Sequence, residues 1–333
     1  MSDAHSPRPR TPARRTWLWA AGVVVCALVL LAVHEFFLRS TDGRWLEQAL
    51  LESRYSAITV GPMQESTFFD LLSSVPLAVL ALAGLIFVVT VLTRRRFAAA
   101  GIALATFLGA NITTQAMKAL LVRHEPEGMP MSNAAMHEWW WAPDVTSFPS
   151  GHATLAAGAA VAVFLVVGPR QRPIVGLFTG LLAVVSGAAI FLTGHFASDI
   201  IAAYLVVAIW GLLGGWLVMR LGESWNTLTT EQHTPVGAGA GLAWFLGIIL
   251  TAAAVLAVLF AGGWEAIRQA AEDPSGWHWV AGTLLPVGPG MLLCGAGISF
   301  FDAETGRRHP GEPLRTTQQA YQVPPQFGHL YEA

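Results

Sequence analysis

Charge is what this sequence has least of. Asp, Glu, Lys and Arg together make up 12% of its 333 residues, against 54% hydrophobic, and the mean hydropathy is +0.52. So little charge in so long a chain excludes an ordinary water-soluble domain. The net charge of −2 shows no basic excess, which argues against nucleic acid as a partner. Cysteine is almost absent too. Cys26 and Cys294 each lie inside an apolar run with no metal-ligand or disulfide spacing, so both read as small core residues. Lysine is scarcer still, since Lys118 is the only one among 19 basic residues. Wherever the chain needs a generic cation it uses arginine, so the exception points to a specific role.

What fills the chain instead is a series of apolar runs of about 18 to 25 residues, each long enough to cross a bilayer as a helix. The fold expected is all-α: a polytopic membrane bundle of about eight transmembrane helices. The spans fall near Trp17–Leu38, Ser73–Thr93, Phe97–Leu121, Gly151–Val167, Ile174–Thr193, Ser198–Val218, Ala240–Ala261 and Val280–Phe300. The first follows a basic arm, residues 1–16, but is too long for a signal sequence and lacks a small-residue cleavage site after it. It reads as an uncleaved span. Residues 17–220 form a six-span domain, 221–301 add two spans with their loops, and 302–333 are a polar, proline-containing tail expected to be disordered. The segment from the first span to about Asp70 reads as a mixed-charge loop. His34 and Glu35, near the far end of the first span, read as interfacial residues.

Three stretches carry chemistry. In the third span Asn111, Gln115 and Lys118 recur at spacings of four and three, which puts them on one helical face beside Thr114. Such a face is either interhelical glue ending in a snorkelling lysine or the wall of a polar pocket. At Pro149-Ser150-Gly151-His152 a long loop becomes an apolar helix. A helix start presents free N–H groups and the positive end of its dipole to an anion, and His152 adds a proton donor or acceptor in the first turn. The same tetrapeptide also reads as an ordinary stop and cap. Finally, His195 and Asp199 stand four apart, so the carboxylate can orient the imidazole as a nucleophile or base; alternatively Ser198 and Asp199 simply cap the following span.

Between the third and fourth spans, residues 122–147 form a loop long enough for a lid, rich in Pro, Met, His and Trp. Trp139, Trp140 and Trp141 read as an interfacial belt, and His124 and His137 as solvated loop residues without metal-ligand spacing. A cytoplasmic N-terminus places the arginines at 8, 10, 14, 15, 94, 95, 96, 170, 172, 220, 307, 308 and 315 inside. It leaves Arg39, Arg44, Arg54, Lys118, Arg123 and Arg268 outside. The positive-inside rule therefore favours eight spans with both termini in the cytoplasm. All three stretches then meet at the outer face.

In order and spacing these blocks resemble the signature of the type 2 phosphatidic acid phosphatase superfamily. The lysine, arginine and proline of the first block correspond to Lys118, Arg123 and Pro126, the second is Pro149-Ser150-Gly151-His152, and the third ends in His195 and Asp199. The resemblance covers the third to sixth spans and implies a six-helix phosphatase-like core. It further implies that His195, oriented by Asp199, attacks phosphorus to form a phosphohistidine, and that His152 protonates the leaving alkoxide and then activates water. Lys118, Arg123 and the backbone around Ser150 and Gly151 would hold the phosphate oxygens. No metal or cofactor is implied. The substrate class is a lipid phosphate or polyprenyl phosphate or diphosphate, met at the extracytoplasmic face of the cell membrane.

Two departures stand out. Glu125 sits where the family carries arginine directly before its proline, and Ala188 and Ala189 replace a serine and an arginine ahead of His195. A phosphomonoester bears a charge of about −1.5 to −2, which Lys118, Arg123 and a protonated His152 still balance. The departures admit a variant substrate such as a phosphodiester, and they favour the alternative of an inactive lipid-binding, transport or scaffold protein. A lipid headgroup phosphotransferase is a further alternative, since it shares the phosphohistidine step and differs only in the acceptor. A carboxylate aimed at a bound phosphate would repel it, so Glu125 is expected to face Arg123 or solvent. The topology has a direct check. Cysteine introduced at Ser132 should react with a membrane-impermeant thiol reagent in intact cells, and cysteine introduced at Ser224 should not; the opposite pattern inverts the arrangement.

Overall fold

The computed structural model describes residues 15–58, 65–121, 147–221, 226–229, 236–265 and 275–308. Among these, the helices in chain order are α1 (Thr16–His34), α2 (Thr41–Ile58), α3 (Glu65–Arg94), α4 (Phe97–Leu120), α5 (Gly151–Val166), α6 (Arg172–Leu192), α7 (Ala197–Leu221), α8 (Val236–Phe260) and α9 (Gly276–Glu304). A π-helical turn, Glu35–Arg39, joins α1 to α2. Seven of the helices are long and apolar enough to cross a membrane. The chain is thus an all-α polytopic bundle. The expected fourth span, α5, is a helix of 16 residues, short of that length but almost wholly buried among its neighbours.

Two expectations need correction. The stretch taken as a mixed-charge loop contains α2, whose apolar residues Trp45, Leu46, Ala49 and Leu50 recur at helical spacing and are all buried. Its start is capped by Ser40, whose hydroxyl accepts the Gly43 N–H at 3.0 Å. The polar tail does not begin at Asp302, because α9 continues to Glu304. Beyond it, Gly306–Arg308 form β2, which pairs in parallel with β1 (Thr227–Thr229), with Thr227 opposite Gly306. Residues 309–333 lie outside those described.

Helix α5 is the centre of the bundle, touching α3, α4, α6 and α7, while α8 and α9 pack together and lie against α6. Close packing depends on small residues, as expected where lipid supplies no hydrophobic force between helices. At Gly187 on α6 an added Cβ would stand 2.0 Å from the Tyr204 hydroxyl of α7. That hydroxyl donates to the Ala183 carbonyl at 3.3 Å. A cavity of about 640 Å³ lies between α1, α5, α6, α7 and α9, lined by residues such as Gly22, Cys26, Ala157, Gly180 and Gly297. Its few polar groups are bonded within the protein: Cys294 Sγ donates to Gly176 O at 3.5 Å and Ser299 Oγ to Gly295 O at 2.8 Å.

One end of the bundle is held by arginines. Arg15 pairs with Glu304, its Nε donating at 2.8 Å; Arg96 donates to Val166 O at 2.8 Å; Arg220 donates to Thr16 Oγ1 at 3.3 Å. Arg172 is the most buried of them, at 3% exposure. It donates to Asn226 Oδ1 at 2.7 Å and lies 5.5 Å from the Phe301 ring centre and 6.0 Å from that of Phe164. Asn226 in turn donates to Val218 O at 3.0 Å, closing the end of α7 onto the start of α6. A hydrogen bond to a buried charge contributes about 1.5–3 kcal/mol. Asn226→Ala should therefore lower the melting temperature of the purified protein in detergent by more than Asn226→Asp, which keeps an acceptor facing the guanidinium.

Candidate active site

At the opposite end, the site starts with how α5 begins. Ser150 is extended (φ −68°, ψ 120°) and its hydroxyl accepts the Ala153 N–H, the capping role its residue type favours. The Ser150 backbone N–H donates to the Asp199 carbonyl at 2.9 Å, so the first turns of α5 and α7 are joined directly. A second link runs to α4. The Thr114 and Thr154 hydroxyls are 2.9 Å apart, and Thr154 Oγ1 donates to the Ser150 carbonyl at 2.9 Å. The polar stripe of α4 consequently faces α5. A Cβ built on Gly151 would stand 3.5 Å from Gln115 Nε2 and 3.8 Å from Lys118 Nζ, and one built on Gly158 would stand 3.9 Å from Asn111 Nδ2. The ammonium group thus lies beside the helix start, at van der Waals distance from position 151.

His195 is placed by the end of α6. Gly194 adopts φ +112°, a conformation that costs glycine little. Its N–H donates to Phe191 O at 3.1 Å and that of His195 to Ile190 O at 3.2 Å. This is a Schellman ending, which turns the chain sharply and delivers His195 at the mouth of α7. The His195 ring lies 5.7 Å, centre to centre, from that of His152, edge to face at 84°. His152 is exposed, His195 half-buried and Asp199, in the first turn of α7, fully buried. The two imidazoles thus meet edge to face, with the α5 N-terminus and the lysine beside them.

The structure therefore brings Lys118, Ser150, Gly151, His152, His195 and Asp199 to one end of the bundle. Arg123 lies outside the described residues, as do Glu125, His124, His137 and the three tryptophans. Ala189, where the family carries a cation, is buried in α6 with 4% exposure. Among the described residues no three His, Cys, Asp or Glu side chains converge as metal ligands would. His34 and Glu35, read as interfacial, bond to each other at 3.0 Å. The His34 ring also packs edge-on against the buried Phe148, 5.9 Å away, in the segment that leads into Ser150.

One residue at the site escaped the sequence reading. Glu47 of α2, only 2% exposed, accepts the Ser198 backbone N–H at 2.9 Å. The idea that Ser198 and Asp199 act as caps needs revision accordingly, since both lie inside the first turn of α7 and a carboxylate from α2 serves its N–H group. The helical spacing of Trp45, Leu46, Ala49 and Leu50 was the available signal.

A family model described as PAP2 superfamily matches residues 97–226, from the start of α4 to the asparagine that closes on Arg172. Neither a curated protein nor a solved structure matches the chain.

The Schellman turn generates a prediction. A Cβ at position 194 is strained at positive φ by roughly 1 kcal/mol, whereas asparagine tolerates the region best among the alternatives. Gly194→Ala should lower the melting temperature, and Gly194→Asn should lower it less.

Proposed function

We propose that this chain, a helical membrane bundle whose residues 97–226 match the PAP2 superfamily model, is an integral membrane phosphatase acting on a lipid phosphate or polyprenyl phosphate. The observation that carries the reading is the pairing of His152 and His195, rings 5.7 Å apart, beside the Lys118 amine and the free start of α5. Superfamily members are generally phosphatases, so the reaction class is phosphoric ester hydrolysis. The membrane setting favours an ester whose alcohol is a lipid.

The proposed reaction has two steps. A ring nitrogen of His195 attacks phosphorus, the P–O bond to the lipid breaks, and His152 gives its proton to the departing oxygen. The lipid alcohol leaves, and the phosphoryl group stays on His195. His152, now neutral, takes a proton from water as that water attacks phosphorus. The P–N bond breaks, inorganic phosphate departs and both histidines return to their starting states. Attacking and leaving atoms must be roughly in line, so the two imidazoles must stand on either side of the bound phosphorus. Asp199 orients and stabilises the His195 ring, as a carboxylate does for a working imidazole. Lys118, Arg123 and the N–H groups of Gly151 and its neighbours stabilise the non-bridging oxygens, where charge stabilisation contributes most. Charge from these groups and the two histidines suffices without a metal ion.

The arginine-bearing end is assigned to the cytoplasm, with both termini, and the histidine end to the outside. The test is phosphate release by purified protein from a panel of lipid phosphates. His195→Ala should abolish release, His152→Ala should slow it by about 10²–10⁴-fold, and chelator should leave it unchanged. Labelled phosphate appearing on a second lipid would replace hydrolysis by headgroup transfer. A protein that binds these lipids and turns none over would be a lipid-binding, transport or scaffold protein.

A further inference from the structure

The helix that carries Asp199 is held at its start by a residue from outside the family region. Helix α7 begins at Ala197, directly after Phe196, whose apolar side chain offers no cap. Its first N–H groups have no acceptor within the helix and lie buried, with Ser198 and Asp199 both at 0% exposure. Glu47 Oε1 takes the Ser198 N–H at 2.9 Å across 151 positions of sequence. A carboxylate at this place also meets the positive end of the α7 dipole. The next residue, Asp199, accepts the Ser150 N–H through its carbonyl. A continuous set of bonds thus runs from Glu47 through the first turn of α7 to the start of α5, with His195 directly before that turn.

Helix α2 is itself braced from behind. It packs on α9, and its Trp45, Leu46 and Leu50 share a buried cluster with Phe191 of α6 and Ala281 of α9. At Gly282 of α9 a Cβ would stand 2.2 Å from the Phe191 ring, so α9 lies tightly against the end of α6 that delivers His195. Both α2 and α9 lie outside residues 97–226. We propose that Glu47 is a positioning residue for the His195 and Asp199 block, and that α2 and α9 form a brace acting on the candidate site through it. Glu47 touches no reacting atom in this assignment. It fixes the turn that carries the orienting carboxylate and directly follows the nucleophile.

The activity part of the test rests on the phosphatase reading, and the exchange part does not. Glu47→Ala removes the acceptor, whereas Glu47→Gln keeps a carbonyl oxygen at the same reach. Hydrogen exchange of the peptide spanning residues 195–203 should accelerate about tenfold in Glu47→Ala and stay near wild type in Glu47→Gln. Phosphate release should fall about tenfold or more in kcat for Glu47→Ala, with KM changed less than about twofold, and recover in Glu47→Gln. Should Glu47→Ala not fold, Glu47→Asp replaces it: the carboxylate retracts by one methylene, so exchange should rise and kcat fall although the charge remains. Unchanged exchange in Glu47→Ala, or Glu47→Gln as impaired as Glu47→Ala, overturns the proposal. If wild type releases no phosphate from any lipid, the phosphatase reading fails, and the exchange comparison still decides the role of Glu47.

Discussion

The hydrogen bond from the Ser150 N–H to the Asp199 carbonyl joins two helix beginnings that are both buried. A helix start carries N–H groups with no partner of their own, and water is scarce inside a membrane bundle. Two such starts brought together must satisfy each other or recruit side chains. Here Ser150 caps α5, the Asp199 carbonyl takes the Ser150 N–H, Glu47 takes the Ser198 N–H, and the Thr114 and Thr154 hydroxyls tie α4 to the same point. The positive ends of two helix dipoles consequently converge beside Lys118. In the proposed reaction that positive potential helps hold the phosphate beside His152 and His195.

The two ends of the bundle solve the problem of polar groups differently. At the arginine end, charge is neutralised or enclosed: Arg15 meets Glu304, Arg172 lies against Asn226 and two phenylalanine rings, and Arg220 stacks 4.9 Å from the Trp216 ring centre. These groups hold helix ends together. At the histidine end the exposed His152 stands in the first turn of α5 next to a cation instead. The contrast fits one end built as an anchor and the other built to receive a ligand. The anchoring arginines gather where the helices turn back, at the end proposed to be cytoplasmic.

The departures from the family pattern fall around this frame. Ala189 puts a methyl group, packed in the core, where the superfamily carries a cation. In the proposed reaction the phosphate is therefore held more by Lys118 and by backbone N–H groups, whose positions are set by how accurately the helix starts are held. Helices α2 and α9 supply additional support there, and Glu47 supplies it at the turn between His195 and Asp199. An arrangement with fewer side-chain cations tolerates less displacement of its remaining groups, because charge stabilisation of a phosphoryl group falls steeply with misplacement.

Much of this was legible in the linear chain. Long apolar runs dictated a helical membrane bundle, because a backbone in hydrocarbon must bond within its own segment. Local spacing put Asn111, Gln115 and Lys118 on one face, Ser150 at a helix start and Asp199 one turn from His195. What spacing cannot convey is which distant group completes a local need. The α7 start required an acceptor, but only packing brought Glu47 from 151 positions away. Arg172 required a partner, and the fold supplied Asn226 from beyond α7. The apolar stripe of α2 was hidden among charges, so it read as a loop until α9 and α6 gave it a surface to bury. The sequence by itself determined the helices and the chemical groups they carry. The tertiary structure decided which helix ends meet, because that depends on burying unpaired polar groups against partners that no local pattern specifies.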